Sequence, residues 1–278
     1  MQIIDGKKIA SQILAEIERA LADLPFQPVF TDVLVGSDPA SVQYVGMKKK
    51  AAESVGIKFH SANFPAAIST TELTLELKKL NKIENMCGII IQLPLPEHIE
   101  KQAVLDAIDP VLDVDCLGTI ASEKFYQGEN EIGYPTALAC MAILESLNLN
   151  LKSKKIVVLG QGILVGKPVA ALLKFRGLNL EIVRSQTSNK EEIIKGADII
   201  ISGIGKGKYI TGAMIKPRTV IIDAGTSEMD ASIVGDVDLD SVREVASFVS
   251  PVPGGVGPVT VAMLLRNVLM VAKSLPHP

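Results

Sequence analysis

Apolar positions fall into two alternating patterns along the chain. Behind Asp5, which can cap a helix, Ile9, Ile13, Ile17 and Leu21 recur every fourth residue and the pattern ends before Pro25. Val29 to Val35 then reads as a strand, Pro39 to Val55 as a helix stopped by Gly56, and Ile57 to Phe64 as a second strand. A helix from about Thr71 to Ile83, a strand at Gly88-Ile-Ile-Ile-Gln-Leu93 and a helix from about His98 to Ile108 follow. Asp109 to Gly133 has little apolar periodicity and carries turn residues and charges, which predicts a loop and a domain boundary. A helix from about Thr136 to Leu147 leads into further strands at Ile156 to Leu159, Leu180 to Val183, Asp198 to Ser202 and Thr219 to Asp223. The chain closes on a helix over Val259 to Ala272 that is apolar around much of its circumference. Such alternation of strand and helix predicts an α/β fold with parallel sheet, and 278 residues suit two domains.

Composition narrows the partners. A net charge of −3 gives no general attraction to nucleic acid or to an anionic membrane, so neither is expected. Cys87, Cys116 and Cys140 are widely spaced and histidines number only 3, so neither a disulfide framework nor a metal site is spelled out. The first residues lack the apolar core of a signal peptide, and the apolar run near the C-terminus is broken by Arg266, which together predict a cytoplasmic protein.

Six stretches carry candidate chemistry. In Ile156-Val-Val-Leu-Gly-Gln-Gly-Ile-Leu-Val-Gly-Lys-Pro168, a buried strand runs into Gly160, Gly162 and Gly166 and then into a helix, as a dinucleotide-binding turn requires. A diphosphate approaches backbone closely only where no Cβ intervenes. After the next strand, Arg184, Ser185 and Thr187 stand where an NAD enzyme would usually place an acid. A cation and hydroxyls suit a 2′-phosphate, which favours NADP over NAD. On the helix from Pro39, Tyr44 and Lys48 share a stripe with Ala51 or Ala52 and Val55, while Lys49 and Lys50 point elsewhere. A lysine on an inward stripe loses hydration, which favours its neutral form and lets it exchange protons; a flat ring one turn away can stack on a planar substrate. Gln92 ends a buried strand on the side where open α/β sheets place ligands, and Asp113 and Asp115 lie in the boundary loop. Pro251-Val-Pro-Gly-Gly-Val-Gly-Pro258, with Thr260 beyond it, gives an exposed, shaped backbone before the last helix.

The blocks Val35-Gly-Ser-Asp-Pro-Ala-Ser41 with Tyr44 and Lys48, Gln92-Leu-Pro-Leu-Pro96, Asp113-Val-Asp115, Val165-Gly-Lys-Pro168 and Pro253-Gly-Gly-Val-Gly-Pro258 with Thr260 span nearly the whole chain. In that order they resemble the bifunctional methylenetetrahydrofolate dehydrogenase/cyclohydrolase family, called FolD in bacteria. The resemblance implies an N-terminal α/β tetrahydrofolate-binding catalytic domain over 1–119, completed by a C-terminal helix over 259–278, and a Rossmann-type NAD(P)-binding domain over 120–258, with a cleft between them. It implies NADP-dependent oxidation of 5,10-methylenetetrahydrofolate and hydrolysis of the methenyl product to 10-formyltetrahydrofolate, in the service of purine and amino-acid biosynthesis. Lys48 would then handle the proton, Gln92 orient it and tune its charge, Tyr44 stack on the substrate and Asp115 hold the pterin, with Gly255 and Pro258 also at the substrate. Gly160, Gln161, Gly162, Val165, Gly166, Arg184, Ser185 and Thr226 would hold the cofactor, and the chain would form a homodimer.

Some positions depart from the family's pattern. The usual Gly-Arg-Ser of the nucleotide turn is Gly160-Gln-Gly162, a common histidine is Arg184, the Pro-Cys-Thr-Pro block is Tyr134-Pro-Thr-Ala137, and the glycine after Asp-Val-Asp is Cys116. Two other readings compete: a two-domain oxidoreductase like shikimate dehydrogenase, and a catalytically silent protein that binds folate or nucleotide.

Overall fold

A computed structural model describes residues 1–129, 131–229 and 232–275; residues 276–278, to which the resemblance extends the closing helix, lie outside the described residues. In chain order the elements are β1 (Gln2–Ile3), α1 (Gly6–Leu21), β2 (Val29–Val35), α2 (Pro39–Ser54), β3 (Lys58–Phe64), α3 (Thr70–Leu80), β4 (Met86–Ile91), α4 (Lys101–Leu105), α5 (Thr119–Gln127) and α6 (Pro135–Ser146). There follow β5 (Ile156–Leu159), α7 (Gly166–Phe175), β6 (Leu180–Val183), α8 (Lys190–Lys195), β7 (Ile199–Ser202), β8 (Val220–Asp223), β9 (Ser227–Met229), β10 (Ser232–Val234), α9 (Leu239–Val242), β11 (Phe248–Val249) and α10 (Val256–Ser274). The chain divides into two compact units, Met1–Ser11 with Thr136–Thr260 and Gln12–Pro135 with Val261–Pro278.

The second of these units is built on a parallel sheet in the order β3-β2-β4. All seven residues of the central strand β2 are buried. A strand covered on both faces is expected to be apolar throughout, and Thr31 and Asp32 break that rule. The helix that follows starts where its sequence says it should: Asp38 accepts from the Ser41 amide at 2.8 Å, Pro39 occupies the first helical position, and the chain leaves through Gly56 at a φ of +89°. α3 carries a full capping box between Ser69 and Glu72 and buries Leu73, Leu77 and Leu80.

Two sequence expectations for this unit change. The helix expected from His98 to Ile108 contracts to α4, and the stretch expected to be loop from Asp109 to Gly133 contains α5. α5 hides from periodicity because it buries only Ala121 and Phe125. It is held by tertiary contacts instead: Phe125 meets Tyr134 edge-on at 5.0 Å, and the Ser122 hydroxyl lies 2.8 Å from that of Tyr134.

The other unit carries a six-stranded parallel sheet in the order β1-β11-β8-β7-β5-β6. β5 has its sequence successor β6 on one side and β7 on the other, so chain order reverses there, and a ligand crevice opens beyond the carboxyl ends of strands at such a point. Val157, Leu159, Ile200 and Ile221 belong to its core. β1 and β11, two residues each, are too short to leave a periodic signal in the sequence. The closing helix begins three residues before the expected Val259, at Val256.

Candidate active site and nucleotide turn

Lys48 is the centre of a buried cluster. It lies on the inward stripe of α2 with Ser41, Val45 and Ala52, while Lys49 and Lys50 are exposed. Its Nζ donates to Gln92 Oε1 at 2.7 Å and stands 2.7 Å from Asp32 Oδ2, in an ion pair whose side chains are 3% and 0% exposed. It also sits 5.3 Å from the centre of the Tyr44 ring, one helical turn back, within reach of a cation–π interaction. The Gln92 amide is fixed on its other side: Nε2 donates to Leu93 O at 2.7 Å, and the backbone amide donates to Val33 O at 2.8 Å. Its oxygen therefore faces the lysine.

The acids of the boundary loop divide into two kinds. Asp113 accepts from the Gly118 amide at 2.7 Å and from the Asp115 amide at 3.3 Å, so it shapes the loop; burial pushes its carboxyl up. Asp115 keeps part of its surface open. Burial, and then the Asp113 charge, push its carboxyl up to about 7, with Lys48 pulling the other way and Asp32 adding to the rise. The Tyr44 phenol is pushed up as well, by burial first and by Asp115 second. The loop is docked by Ile89, whose amide donates to Leu112 O at 2.8 Å, and by Asn267 of α10, whose Nδ2 reaches Val114 O at 2.8 Å and Gly133 O at 2.7 Å. Gly88 lets the loop lie close, since a Cβ there would stand 2.9 Å from Val114 Cγ2. Cys116, where the family's glycine stands, takes a left-handed φ of 61°.

Sequence reasoning brings Tyr44, Lys48, Gln92 and Asp115 forward but misses Asp32, Gly88 and Asn267. Asp32 did have a signal: it is an acid in the middle of a strand that is otherwise almost entirely apolar.

In the other unit, Gly160, Gln161, Gly162, Val165 and Gly166 form one turn between β5 and α7. Gly160 has a φ of +90°, and a Cβ on Gly166 would collide with Gly160 O, so both are required by the backbone. A Cβ on Gly162 would meet nothing within 4 Å, which leaves open space beside the turn. That space adjoins the start of α7, where the Lys167 amide donates to Gly162 O at 3.1 Å and Pro168 has no N–H, so the Gly166 amide is the first-turn donor left to face a diphosphate. The Gly160 amide donates to Val183 O at 2.9 Å, placing the end of β6 alongside, and Arg184 and Ser185 follow there as exposed residues. Thr226 is exposed after β8. Gly255 donates to Pro251 O at 2.8 Å, and Pro258 stands in the first turn of α10. The backbone, open space and hydroxyls of this turn fit a dinucleotide.

The model of the tetrahydrofolate dehydrogenase/cyclohydrolase catalytic domain matches residues 4–115, and that of the family's NAD(P)-binding domain matches residues 134–275. This chain belongs to the tetrahydrofolate dehydrogenase/cyclohydrolase family. It is 40% identical over 277 residues to the bifunctional protein FolD of Nitratiruptor, covering 98% of each chain. The bifunctional FolD of Campylobacter jejuni superposes with a TM-score of 0.94 at 33% identity, over 98% of this chain and 99% of that one. The Trypanosoma brucei FolD, solved with NADP and an inhibitor, superposes with a TM-score of 0.92 at 35% identity, over 98% and 97%. Shikimate 5-dehydrogenase of Thermus thermophilus reaches a TM-score of 0.51 at 14% identity, over 89% of this chain and 99% of that one, which is a likeness of fold alone.

Proposed function

We propose that this protein oxidises 5,10-methylenetetrahydrofolate with NADP and hydrolyses the methenyl product to 10-formyltetrahydrofolate. The observation that carries the reading is Lys48, buried yet held at 2.7 Å by Gln92, with Tyr44 and the raised carboxyl of Asp115 beside it. Bound nicotinamide supplies the acceptor for the hydride that leaves the methylene carbon. The flanking folate nitrogens stabilise the resulting cation, so for this step the residues need only hold the substrate in place. Tyr44 offers a face for stacking and Asp115 an acceptor for the pterin N–H groups.

Hydrolysis needs proton handling. A water oxygen bonds to the bridging carbon, the bond from that carbon to N5 breaks, and the two water protons go one to N5 and one to solvent. Lys48, in its neutral form, takes a proton from the attacking water and, as ammonium, gives one back, while Gln92 keeps its Nζ directed. Backbone at Gly160, Gln161, Gly162, Val165 and Gly166 cradles the diphosphate, and Arg184, Ser185 and Thr226 meet the remainder of the cofactor, with Gly255 and Pro258 toward the substrate. Folate chemistry is assigned to the unit built on β2 to β4 and dinucleotide binding to the unit with six strands.

On the same reading the enzyme works as a cytoplasmic homodimer, apart from nucleic acid and membranes. The net charge of −3 supports the last point, as does α10: it is long and apolar enough to cross a membrane, but 67% of its apolar window is buried inside the protein. The test is a spectrophotometric assay with 5,10-methylenetetrahydrofolate, run with NADP and NAD in parallel, following reduced cofactor and then methenyl decay. Turnover with NADP and methenyl loss above the buffer rate are expected. Turnover only with NAD would make Gln161 the mark of a cofactor switch, and ligand binding without turnover would favour the silent binding protein.

A further inference from the structure

Asp32 has no evident reason to be where it is on grounds of folding. It occupies a strand whose seven residues are all buried, at 0% exposure. A carboxylate there loses its hydration, and burial is the first cause of its raised pKa, opposed by Lys48. Neither carboxylate oxygen has a well-directed hydrogen-bond partner among the described residues, and Oδ2 stands 2.7 Å from Lys48 Nζ as an ion pair. Lys48 therefore hydrogen-bonds Gln92 Oε1 and ion-pairs Asp32 Oδ2, each at 2.7 Å, an arrangement suited to an ammonium.

We propose that Asp32 is a positioning residue for Lys48: its carboxylate holds the lysine as an ammonium beside Gln92 and so sets the pH range over which Lys48 exchanges protons. This rests on the reading that Lys48 handles the proton of methenyl hydrolysis. The isolated desolvated lysine expected from the sequence is thereby replaced by a pair of zero net charge. Such a pair keeps a proton close by without placing a net positive charge next to a cationic substrate. The other groups facing the pair are Tyr44 of α2, Gln92 after β4, and Asp115 of the loop, which interacts with both Lys48 and Asp32. On the sheet, Ser61 of β3 and Ile90 of β4 pair with Asp32. His60 instead contacts Thr31, at 3.3 Å, whose side chain leaves the strand on the opposite face.

The experiment compares the wild type with Asp32→Asn and Asp32→Val, one isosteric and the other suited to an apolar strand. Nitrogen NMR on lysine-labelled protein follows the pH at which the Lys48 ammonium signal is lost, the signal being assigned by its absence in Lys48→Arg. In both variants that midpoint is expected to fall by at least about one pH unit, a tenfold loss of proton affinity. The pH profile of methenyl hydrolysis is expected to move the same way by a similar amount. A midpoint unmoved in either folded variant overturns the proposal whatever happens to the melting temperature, because a merely structural acid changes stability and leaves the lysine's charge alone. A moved midpoint with an unmoved hydrolysis profile upholds the hold of Asp32 on Lys48 and removes Lys48 from the reaction instead.

Discussion

Around Lys48 the chemistry resides in side chains drawn from four separated stretches of chain, whereas at the nucleotide turn it resides in the backbone of one. Asp32, Lys48, Gln92 and Asp115 meet because β2, α2, the end of β4 and the boundary loop pack together. Gly160 to Gly166 take their shape mainly from their own backbone, through a positive φ at Gly160 and the close approach of Gly166 to Gly160 O. The lysine cluster is therefore sensitive to charge and burial. The turn is sensitive to sterics, and on the proposed reading it holds the diphosphate through backbone. Substitutions should separate the two.

The largest separation is expected from Lys48→Met. Methenyl hydrolysis should fall by about 10³-fold, the loss typical of a removed acid–base group, with NADP binding nearly unchanged. Initial rates and a fluorescence titration with NADP on the same sample check both. Unchanged hydrolysis would remove Lys48 from the mechanism. The substitution also strips Asp32 of its counter-charge, and breaking a buried pair costs about 3 kcal/mol. The sign with pH follows from Asp32: its carboxyl is raised above its ordinary value of 3.8 when folded, so the unpaired acid favours folding while protonated and opposes it as pH rises. The melting temperature of Lys48→Met should therefore fall further behind wild type as the buffer is made more alkaline.

This contrast also accounts for what the sequence made legible. The glycine turn and the stripe carrying Tyr44 and Lys48 are local patterns, and local patterns survive in one dimension. The parallel arrangement of β2, β3 and β4 followed from the strand and helix alternation in the same way. The meaning of Asp32 is not legible locally, because it depends on a lysine sixteen positions on and a glutamine beyond that, and only packing brings the acid and the glutamine each within 2.7 Å of the lysine Nζ. Asn267 is the same case: it holds Val114 O and Gly133 O from the far end of the chain. α5 is hidden for a different reason, since two buried apolar residues and flanking glycines leave no periodicity to detect.

A smaller effect is expected from Asp115, whose carboxyl is pushed up to about 7. On the proposed reading, its ionised form accepts hydrogen bonds from pterin N–H groups. Below pH 7 the fraction available to do so falls tenfold per unit, so folate-analogue affinity should weaken by up to about tenfold per pH unit on acidification and level off above pH 7. Asp115→Asn should flatten that dependence while leaving NADP binding alone. Calorimetric titrations from pH 5.5 to 8.5 would show it, and a profile equally steep in the variant would assign the dependence to another group.

The smallest expected effect tests the nucleotide side through Arg184, the cationic side chain that follows β6. Gln161 turns its Nε2 back onto Gly160 O at 2.8 Å, and Gly162 offers no side chain, so neither supplies charge for a 2′-phosphate. Arg184 is exposed, with its backbone amide tied to Thr187 Oγ1 at 2.9 Å and no ion-pair partner for its guanidinium among the described residues. A charge-assisted contact to phosphate contributes about 1.5 kcal/mol when open to solvent, so Arg184→Ala should weaken NADP by about tenfold. NAD, which lacks the phosphate, should be unaffected, and methenyl hydrolysis should be unchanged because Lys48 and its partners lie in the other unit. The NADP difference should also shrink as salt is raised, since exposed charges are screened within about 10 Å at 0.1 M. Equal losses for NADP and NAD would mean that Arg184 shapes the turn after β6 and does not meet the phosphate; cofactor choice would then rest on backbone, as everything else at this turn does.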